Sequence, residues 1–124
     1  MRVAWIALAA VLLCTLSAAQ RAISTGSDLL AECQPAVNSL NGVPISSQGA
    51  GDFEFCDGWI TATNGFFTGP LAGNLAVCIP SSVTIPQEIR VLVKALADNP
   101  RELNEDASSL TYHAFLSAWP CRKP

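Results

Sequence analysis

The chain has 124 residues, a formal net charge of −3 at neutral pH and a single histidine. This length suits one domain with a modest core, and the absence of a basic stripe argues against a nucleic-acid partner. A mildly acidic surface would instead suit a partner with a basic surface.

Residues 1–19 are predicted to be a cleaved secretory signal peptide. Arg2 supplies the positive start, and residues 3–16 form an apolar run that is too short to span a bilayer. Small side chains then precede the predicted cleavage site between Ala19 and Gln20. An uncleaved membrane anchor is the alternative interpretation of this segment.

The mature segment, residues 20–124, contains six Lys or Arg and ten Asp or Glu, which gives a net charge of −4. No later stretch is long or apolar enough for a second membrane span. Cys14 leaves with the leader, and four cysteines remain: Cys33, Cys56, Cys78 and Cys121. An even number in an exported chain predicts two disulfides, with three possible connectivities. A zinc site is the alternative, but the chain has no Cys-x-x-Cys pair.

The first predicted helix is short and begins after Thr25 or Ser27, either of which can cap it. Asp28 follows in the first turn, where an acidic side chain is favourable. Residues 35–51 are rich in Pro, Gly, Asn and Ser, and this composition predicts a long loop.

The second helix is predicted over residues 52–66, where apolar side chains recur at three- and four-residue spacing. Gly58, Ala62 and Gly65 fall between them and are expected to allow another backbone to approach closely. A second long loop, from residue 68 to about residue 82, follows because Gly and Pro recur there.

The third helix is the clearest, because Thr84 and Gln87 form a capping box ahead of a regular apolar face. That face consists of Ile89, Leu92, Val93 and Leu96. The fourth helix is predicted to start near Glu105, capped by Asn104, and to stop before Pro120. The sequence therefore predicts an all-α fold, a small disulfide-stapled bundle of about four helices with two long loops.

The last two predicted helices also indicate how the cysteines pair. They have matched lengths and a short connector, so they should pack antiparallel. Cys78 precedes the first of them and Cys121 follows the second, so an antiparallel hairpin brings these two residues together. The predicted pairs are therefore Cys78–Cys121 and, from the remaining cysteines, Cys33–Cys56.

The sequence offers no convincing catalytic site, cofactor site or metal site. His113 is the only histidine, it lies in the middle of a predicted helix, and no Gly-x-Ser-x-Gly turn is present to expose a serine. Two acidic groups, Glu54 with Asp57 and the cluster at 102–106, are attributed to favourable charges near helix N-termini.

Four segments, in this order, resemble the Rap/Tai family of type VI secretion immunity proteins over residues 27–121. Residues 27–33 (SDLLAEC) are similar to a DLL-x-x-Cys opening, and residues 55–62 (FCDGWITA) to a Cys-x-Gly-aromatic-Ile-small helix. Residues 78–87 resemble a CIP…VT…Q motif that leads into a helix. Residues 118–121 (AWPC) resemble an aromatic-Pro-Cys motif at the C-terminal end.

This resemblance implies a periplasmic, disulfide-bonded helical protein that is not an enzyme. It implies that the chain binds and inhibits a peptidoglycan amidase effector and forms a homodimer, with no further membrane segment after cleavage. The sequence departs from the family pattern in two places: the loop expected at 35–51 is longer than usual, and Trp59 stands where tyrosine is commoner.

The inhibitory contacts are expected in the loops at 35–51 and 66–77, including Phe66 and Phe67, because adjacent aromatic side chains leading into a loop can anchor a partner. The alternative is that both phenylalanines belong to the core. Two other functions stay open from the residues alone: a periplasmic helical structural or assembly module with no toxin partner, and a small hydrolase that uses His113.

Overall fold

The computed structural model describes residues 22–121. Within this range the chain forms four α-helices, with a single 3-10 turn at Gly73–Leu75 and no strand beyond one isolated bridge between Thr25 and Asp106. The helices are α1 (Gly26–Leu40), α2 (Ser47–Thr68), α3 (Ile85–Asp98) and α4 (Ala107–Ala118). The predicted all-α bundle is confirmed. The predicted signal peptide, with its cleavage site at Ala19 and Gln20, lies outside the described residues.

Helix α3 forms as its sequence predicts. The Gln87 side chain accepts a hydrogen bond from the Thr84 N–H at 2.8 Å, which satisfies one of the unpaired donors at the helix start. All four residues of its predicted apolar face are buried. They join one core with side chains from the other three helices, among them Leu29, Ile60 and Phe115.

Helix α1 is much longer than predicted, because it continues through Pro35 to Leu40. A proline inside a helix removes one backbone hydrogen bond and costs about 3 kcal/mol. Here the cost is offset because Leu29, Cys33 and Ala36 lie on one face and are fully buried. The long loop predicted at 35–51 is therefore wrong, and only residues 41–46 connect α1 to α2.

Helix α2 also starts earlier than predicted, after Ser46, whose hydroxyl accepts a hydrogen bond from the Gly49 N–H at 3.2 Å. A side chain at Gly49 would crowd Ile45 in the connector but make only ordinary contact with Pro35, so glycine lets the connector pack tightly on the start of α2. Gly58 and Gly65 behave differently: both are exposed, and no atom lies within 4 Å of a Cβ built on either. The close backbone approach predicted at these glycines is wrong among the described residues.

Both predicted disulfides are present in the structure. Cys33 and Cys56 join α1 to α2 with their Cα atoms 5.1 Å apart, and both side chains are fully buried. Cys78 and Cys121, 4.9 Å apart at Cα, join the chain before α3 to the chain after α4. The Cys78 N–H also donates to the Trp119 carbonyl at 3.0 Å, as expected where two antiparallel helix ends meet.

The start of α1 is held by the connector between α3 and α4. The Gly26 N–H donates to the Glu105 carbonyl at 3.0 Å, and the Ser27 N–H donates to the Leu103 carbonyl at 2.8 Å. Gly26 packs so closely on Leu110 that a Cβ there would collide with its side chain. None of the helices within 22–121 has the length and apolar character needed to cross a membrane.

Helix α4 begins slightly later than predicted. Its N-cap is Asp106, not Asn104, and the Asp106 carboxylate accepts a hydrogen bond from the Ser109 N–H at 2.8 Å. An aspartate caps a helix well because its charge also meets the positive end of the helix dipole. This assigns Asp106 a structural role.

Candidate interaction surface

An apolar groove of about 540 Å³ lies between α2 and α4. Helix α2 contributes one wall, α4 contributes the other, and the 3-10 turn closes one end through Leu75. Side chains on the α2 wall recur at three- and four-residue spacing: Trp59, Ala62, Thr63, Phe66 and Phe67. The α4 wall consists of Ser108, Ser109 and Tyr112.

The two walls of the groove are joined by specific contacts. The Trp59 Nε1–H donates to the Thr111 hydroxyl at 3.1 Å, and that hydroxyl donates to the Ala107 carbonyl at 2.8 Å. The rings of Phe67 and Tyr112 lie 5.3 Å apart between centroids. Because these contacts fix the positions of both walls, the groove is formed before any partner binds.

Phe66 and Phe67, the two predicted contact residues, have different environments. Phe67 is buried, with 4% of its surface exposed, and its N-terminal neighbour Phe66 is 51% exposed at the groove. The core alternative therefore holds for Phe67, whereas Phe66 is available to a partner. Consecutive helical residues point about 100° apart around the axis, so the two rings face different directions, and the packing of α2 decides which of them is buried.

Two of the exposed large apolar side chains, Phe66 and Leu75, line the groove. Phe66, Leu71 and Leu75 are all at least 44% exposed and lie within one ten-residue stretch. Phe55 is also exposed and stacks near Trp59, with ring centroids 6.2 Å apart. Clustered exposed apolar side chains of this kind are typical of protein-binding surfaces.

The positive charges of the described chain are segregated from this surface. No Lys or Arg occurs between residues 22 and 89, or within α4. The cations of the described residues are Arg90, Lys94 and Arg101, on α3 and the connector that follows it. Arg90 donates to the Leu40 carbonyl at 3.2 Å, and Lys94 pairs with Asp98 at 2.8 Å. The groove and its surroundings on α2 therefore have only acidic or neutral side chains.

A second groove, of about 380 Å³, lies between α3 and α4 and includes His113, the residue of the hydrolase hypothesis. His113 is exposed and contacts the Tyr112 ring, with centroids 5.4 Å apart. Within the part of the chain that the structure describes, no hydrogen bond joins it to a serine, and every cysteine is in a disulfide. Ser117 lines the same groove, but no hydrogen bond joins it to His113 among the described residues, so the structure shows no paired nucleophile and base at this histidine.

Sequence reasoning missed the most unusual carboxylate of the described residues, Glu88 on α3. Among residues 22–121, no group of three His, Cys, Asp or Glu side chains is placed to hold a metal ion. Glu88 is 1% exposed; its Oε1 accepts a hydrogen bond from the Asn64 amide at 2.8 Å, and its Oε2 has no partner. Burial raises the pKa of Glu88, and the Asn64 hydrogen bond opposes that effect.

The chain matches a known protein family. A family model described as Rap1a immunity proteins matches residues 25–121, which is most of the chain and nearly all of the described part. The resemblance found in the four sequence segments is thereby confirmed. No curated protein and no solved structure matches this chain.

Proposed function

The chain belongs to the Rap1a immunity protein family, and we propose that it protects its producer by binding and inhibiting a peptidoglycan amidase effector of a type VI secretion system. Family membership makes it a binding protein for a cognate effector and not an enzyme. The amidase as target and the periplasm as compartment are parts of the proposal.

The observation that supports this function best is the apolar groove on a cross-linked scaffold. A stoichiometric inhibitor must present a surface that keeps its shape, because ordering a flexible surface on binding costs affinity. Two disulfides and the Trp59–Thr111 hydrogen bond supply that rigidity around the groove. Phe66 at the edge of the groove is the proposed contact residue, and Phe67 acts through its packing against Tyr112.

Two features support a periplasmic location. The segment at 1–19 has the charge, length and small residues of a signal peptide. The two disulfides need an oxidising compartment to form and persist. A peptidoglycan-cleaving effector would act in the same compartment, so inhibitor and target would meet there.

The resemblance to the Rap/Tai family supports two finer parts of the proposal, the amidase target and a homodimer. Light scattering on the purified 20–124 chain measures the second directly, with an expected mass twice that of one chain. A monomeric mass at micromolar concentration would contradict the homodimer without touching the proposed inhibition.

Survival in the presence of the toxin tests the function. The full-length chain is produced in a sensitive bacterium while a candidate amidase is delivered to the periplasm of the same cells. Protected growth by the matching amidase, with no protection against an unrelated periplasmic toxin, is the expected result. Failure against every amidase of the producing strain would favour the alternative, a periplasmic assembly module without a toxin partner.

A further inference from the structure

We infer that the groove between α2 and α4 receives an uncharged, extended segment of the effector, which places a large apolar side chain against α2 and its backbone hydrogen-bonding groups against α4. This inference deepens the proposed function and rests on it. It names the chemistry of the partner segment that the groove recognises.

Among the described residues, no charged side chain lines the groove. Residues 58–87, which include the whole α2 wall and Leu75, contain no Asp, Glu, Lys or Arg. Glu54 and Asp57 precede this stretch, and the 3.6-residue period places both on the side of α2 that faces away from the groove. A charge buried in the groove would lose its hydration and meet no opposite charge, so the segment that fills it must be uncharged.

The α2 wall supplies the apolar contact. Trp59 and Phe67 are held in place by α4, through the hydrogen bond to Thr111 and the ring contact with Tyr112. Phe66 stands half-exposed beside them, and the groove volume of about 540 Å³ has room for a large side chain. Aromatic side chains in a preformed pocket are typical anchors of protein interfaces, so this wall fits an apolar side chain of a partner.

The α4 wall supplies hydrogen-bonding groups. Ser108, Ser109 and Tyr112 line the groove, and none of their hydroxyls has a hydrogen-bond partner among residues 22–121. A hydroxyl can both donate and accept, so this wall matches the unpaired N–H and C=O groups of an extended backbone. A helical segment fits less well, because its backbone groups are already paired with one another.

Two alternatives fit these observations less well. An isologous dimer centred on this groove would place the concave surface of one copy against the same concave surface of the other, and would leave both unfilled. The α3–α4 groove is lined by Lys94, Asp98 and Glu102, whose charges an uncharged segment would desolvate without compensation. The absence of charge therefore favours the α2–α4 groove for this segment.

Paired substitutions at Ala62, an exposed residue of the groove lining, test the absence of charge. Ala62→Lys and Ala62→Glu both keep a good helix former in α2, and both are expected to weaken binding of a purified amidase effector of the producing strain at least about tenfold. Surface plasmon resonance measures the dissociation constants at high ionic strength, where long-range attraction between the proteins is screened.

The matched controls for this pair are Thr61→Lys and Thr61→Glu. Thr61 is the exposed neighbour of Ala62, and the helical period turns it away from the groove. The same charges at this position are expected to leave the dissociation constant within about twofold of the parent chain.

Phe66→Ala tests the apolar contact, with Val43→Ala as its matched control because Val43 is equally exposed, at 51%, in the α1–α2 connector. Phe66→Ala is expected to weaken affinity at least about tenfold, mainly through faster dissociation. Val43→Ala is expected to stay within about twofold of the parent chain.

Ser108→Ala/Ser109→Ala tests the hydrogen bonds of the α4 wall. Loss of both hydroxyls is expected to weaken affinity at least about fivefold, because the partner's backbone groups would stay buried without partners. Ser117→Ala is the control, since Ser117 is an exposed serine of α4 that lines the other groove, and its affinity should match that of the parent chain.

The outcomes separate the parts of the inference, once urea unfolding has confirmed that each variant is folded. Opposite changes of affinity in Ala62→Lys and Ala62→Glu would show a charged occupant and overturn the uncharged segment. Unchanged binding by Ser108→Ala/Ser109→Ala overturns the extended segment. Parent-like binding by every groove variant overturns the groove as the docking site and leaves the immunity function standing.

Two further results bear on the partner itself. A parent chain that is dimeric in light scattering, and an Ala62→Lys variant that is monomeric yet binds the effector as before, would show that a second copy covers the groove and overturn the inference. Absence of any amidase binding to the parent chain overturns the proposed function, and this inference with it.

Discussion

Glu88 links α3 to α2 through a single hydrogen bond, and its second carboxylate oxygen is buried without a partner among residues 22–121. A buried polar atom without a hydrogen bond costs about 1–3 kcal/mol. Because burial raises the pKa of Glu88 above its ordinary value of 4.5, the folded protein holds this proton more tightly than the unfolded chain. The free energy of unfolding should therefore fall as the pH rises through the folded pKa.

Glu88→Gln should remove this pH-dependent loss of stability. The amide can still accept from Asn64 and has no charge to desolvate. Relative to the parent chain, we expect the free energy of unfolding of the variant to be higher by about 1 kcal/mol once the pH exceeds the folded pKa of Glu88, and the difference to shrink at lower pH. Urea unfolding at several pH values measures the difference.

The exposed substitution Glu54→Gln provides the control for Glu88→Gln, because it removes one negative charge from α2 without touching the core. Its pH profile should run parallel to that of the parent chain. If the pH dependence of the free energy of unfolding changes equally in both variants, the loss of a negative charge explains the effect and the burial of Glu88 does not.

Glycine has opposite roles at two helical positions, and a pair of alanine substitutions separates them. At exposed Gly58 a Cβ meets no atom within 4 Å, so Gly58→Ala should stabilise α2 by about 0.5–1 kcal/mol. At Gly26 the same change meets Leu110 and the Leu103 backbone, so it should destabilise by about 1–3 kcal/mol. Thermal unfolding measures both, and a stabilised Gly26→Ala would contradict the close packing found there.

At the scale of the helices, the two disulfides hold different parts of the fold. Cys33–Cys56 lies in the core between α1 and α2, whereas Cys78–Cys121 closes the α3–α4 hairpin, with Cys78 at the surface. The sequence separations are 23 and 43 residues. In the chain-entropy model the longer separation gives about 4 kcal/mol and the shorter about 3.5 kcal/mol.

The Cys78→Ser/Cys121→Ser variant is therefore expected to lose about 4 kcal/mol in urea unfolding while the Cys33–Cys56 bridge stays intact. In the parent chain, mild reductant should open the more accessible Cys78–Cys121 bridge first. Mass spectrometry after timed thiol alkylation detects that order, and earlier labelling of the buried Cys33 would contradict it.

At the scale of the whole molecule, the proposed compartment and the fold depend on one another. Either disulfide contributes a large share of the roughly 5–15 kcal/mol by which a typical domain is stable. A bundle of this size that lost both bridges would have little stability left. Export and folding should therefore be inseparable for this chain.

Removal of residues 1–19 should abolish protection in cells. The truncated chain would stay in a reducing compartment, away from the effector and without its bridges. A matched variant with a different signal peptide fused before Gln20 should restore protection. Equal survival with and without a leader would contradict the periplasmic assignment.

Sequence alone determined the all-α class, the start and buried face of α3, the disulfide partners and the family. These features depend on local rules. The Thr84–Gln87 capping box and the spacing of apolar residues involve only residues that are close in the sequence. The cysteines at the helix ends are paired by one short hairpin.

Tertiary structure decided the rest. Pro35 stays inside α1 because the buried face continues on both sides of it, and Gly49 lets Ile45 of the connector pack closely on the first turn of α2. Phe66 is exposed and Phe67 is buried because of the particular rotation about its axis with which α2 packs against α3 and α4. The same packing buries Glu88. Burial on one helix depends on the position of another, and no local pattern in the chain contains that information.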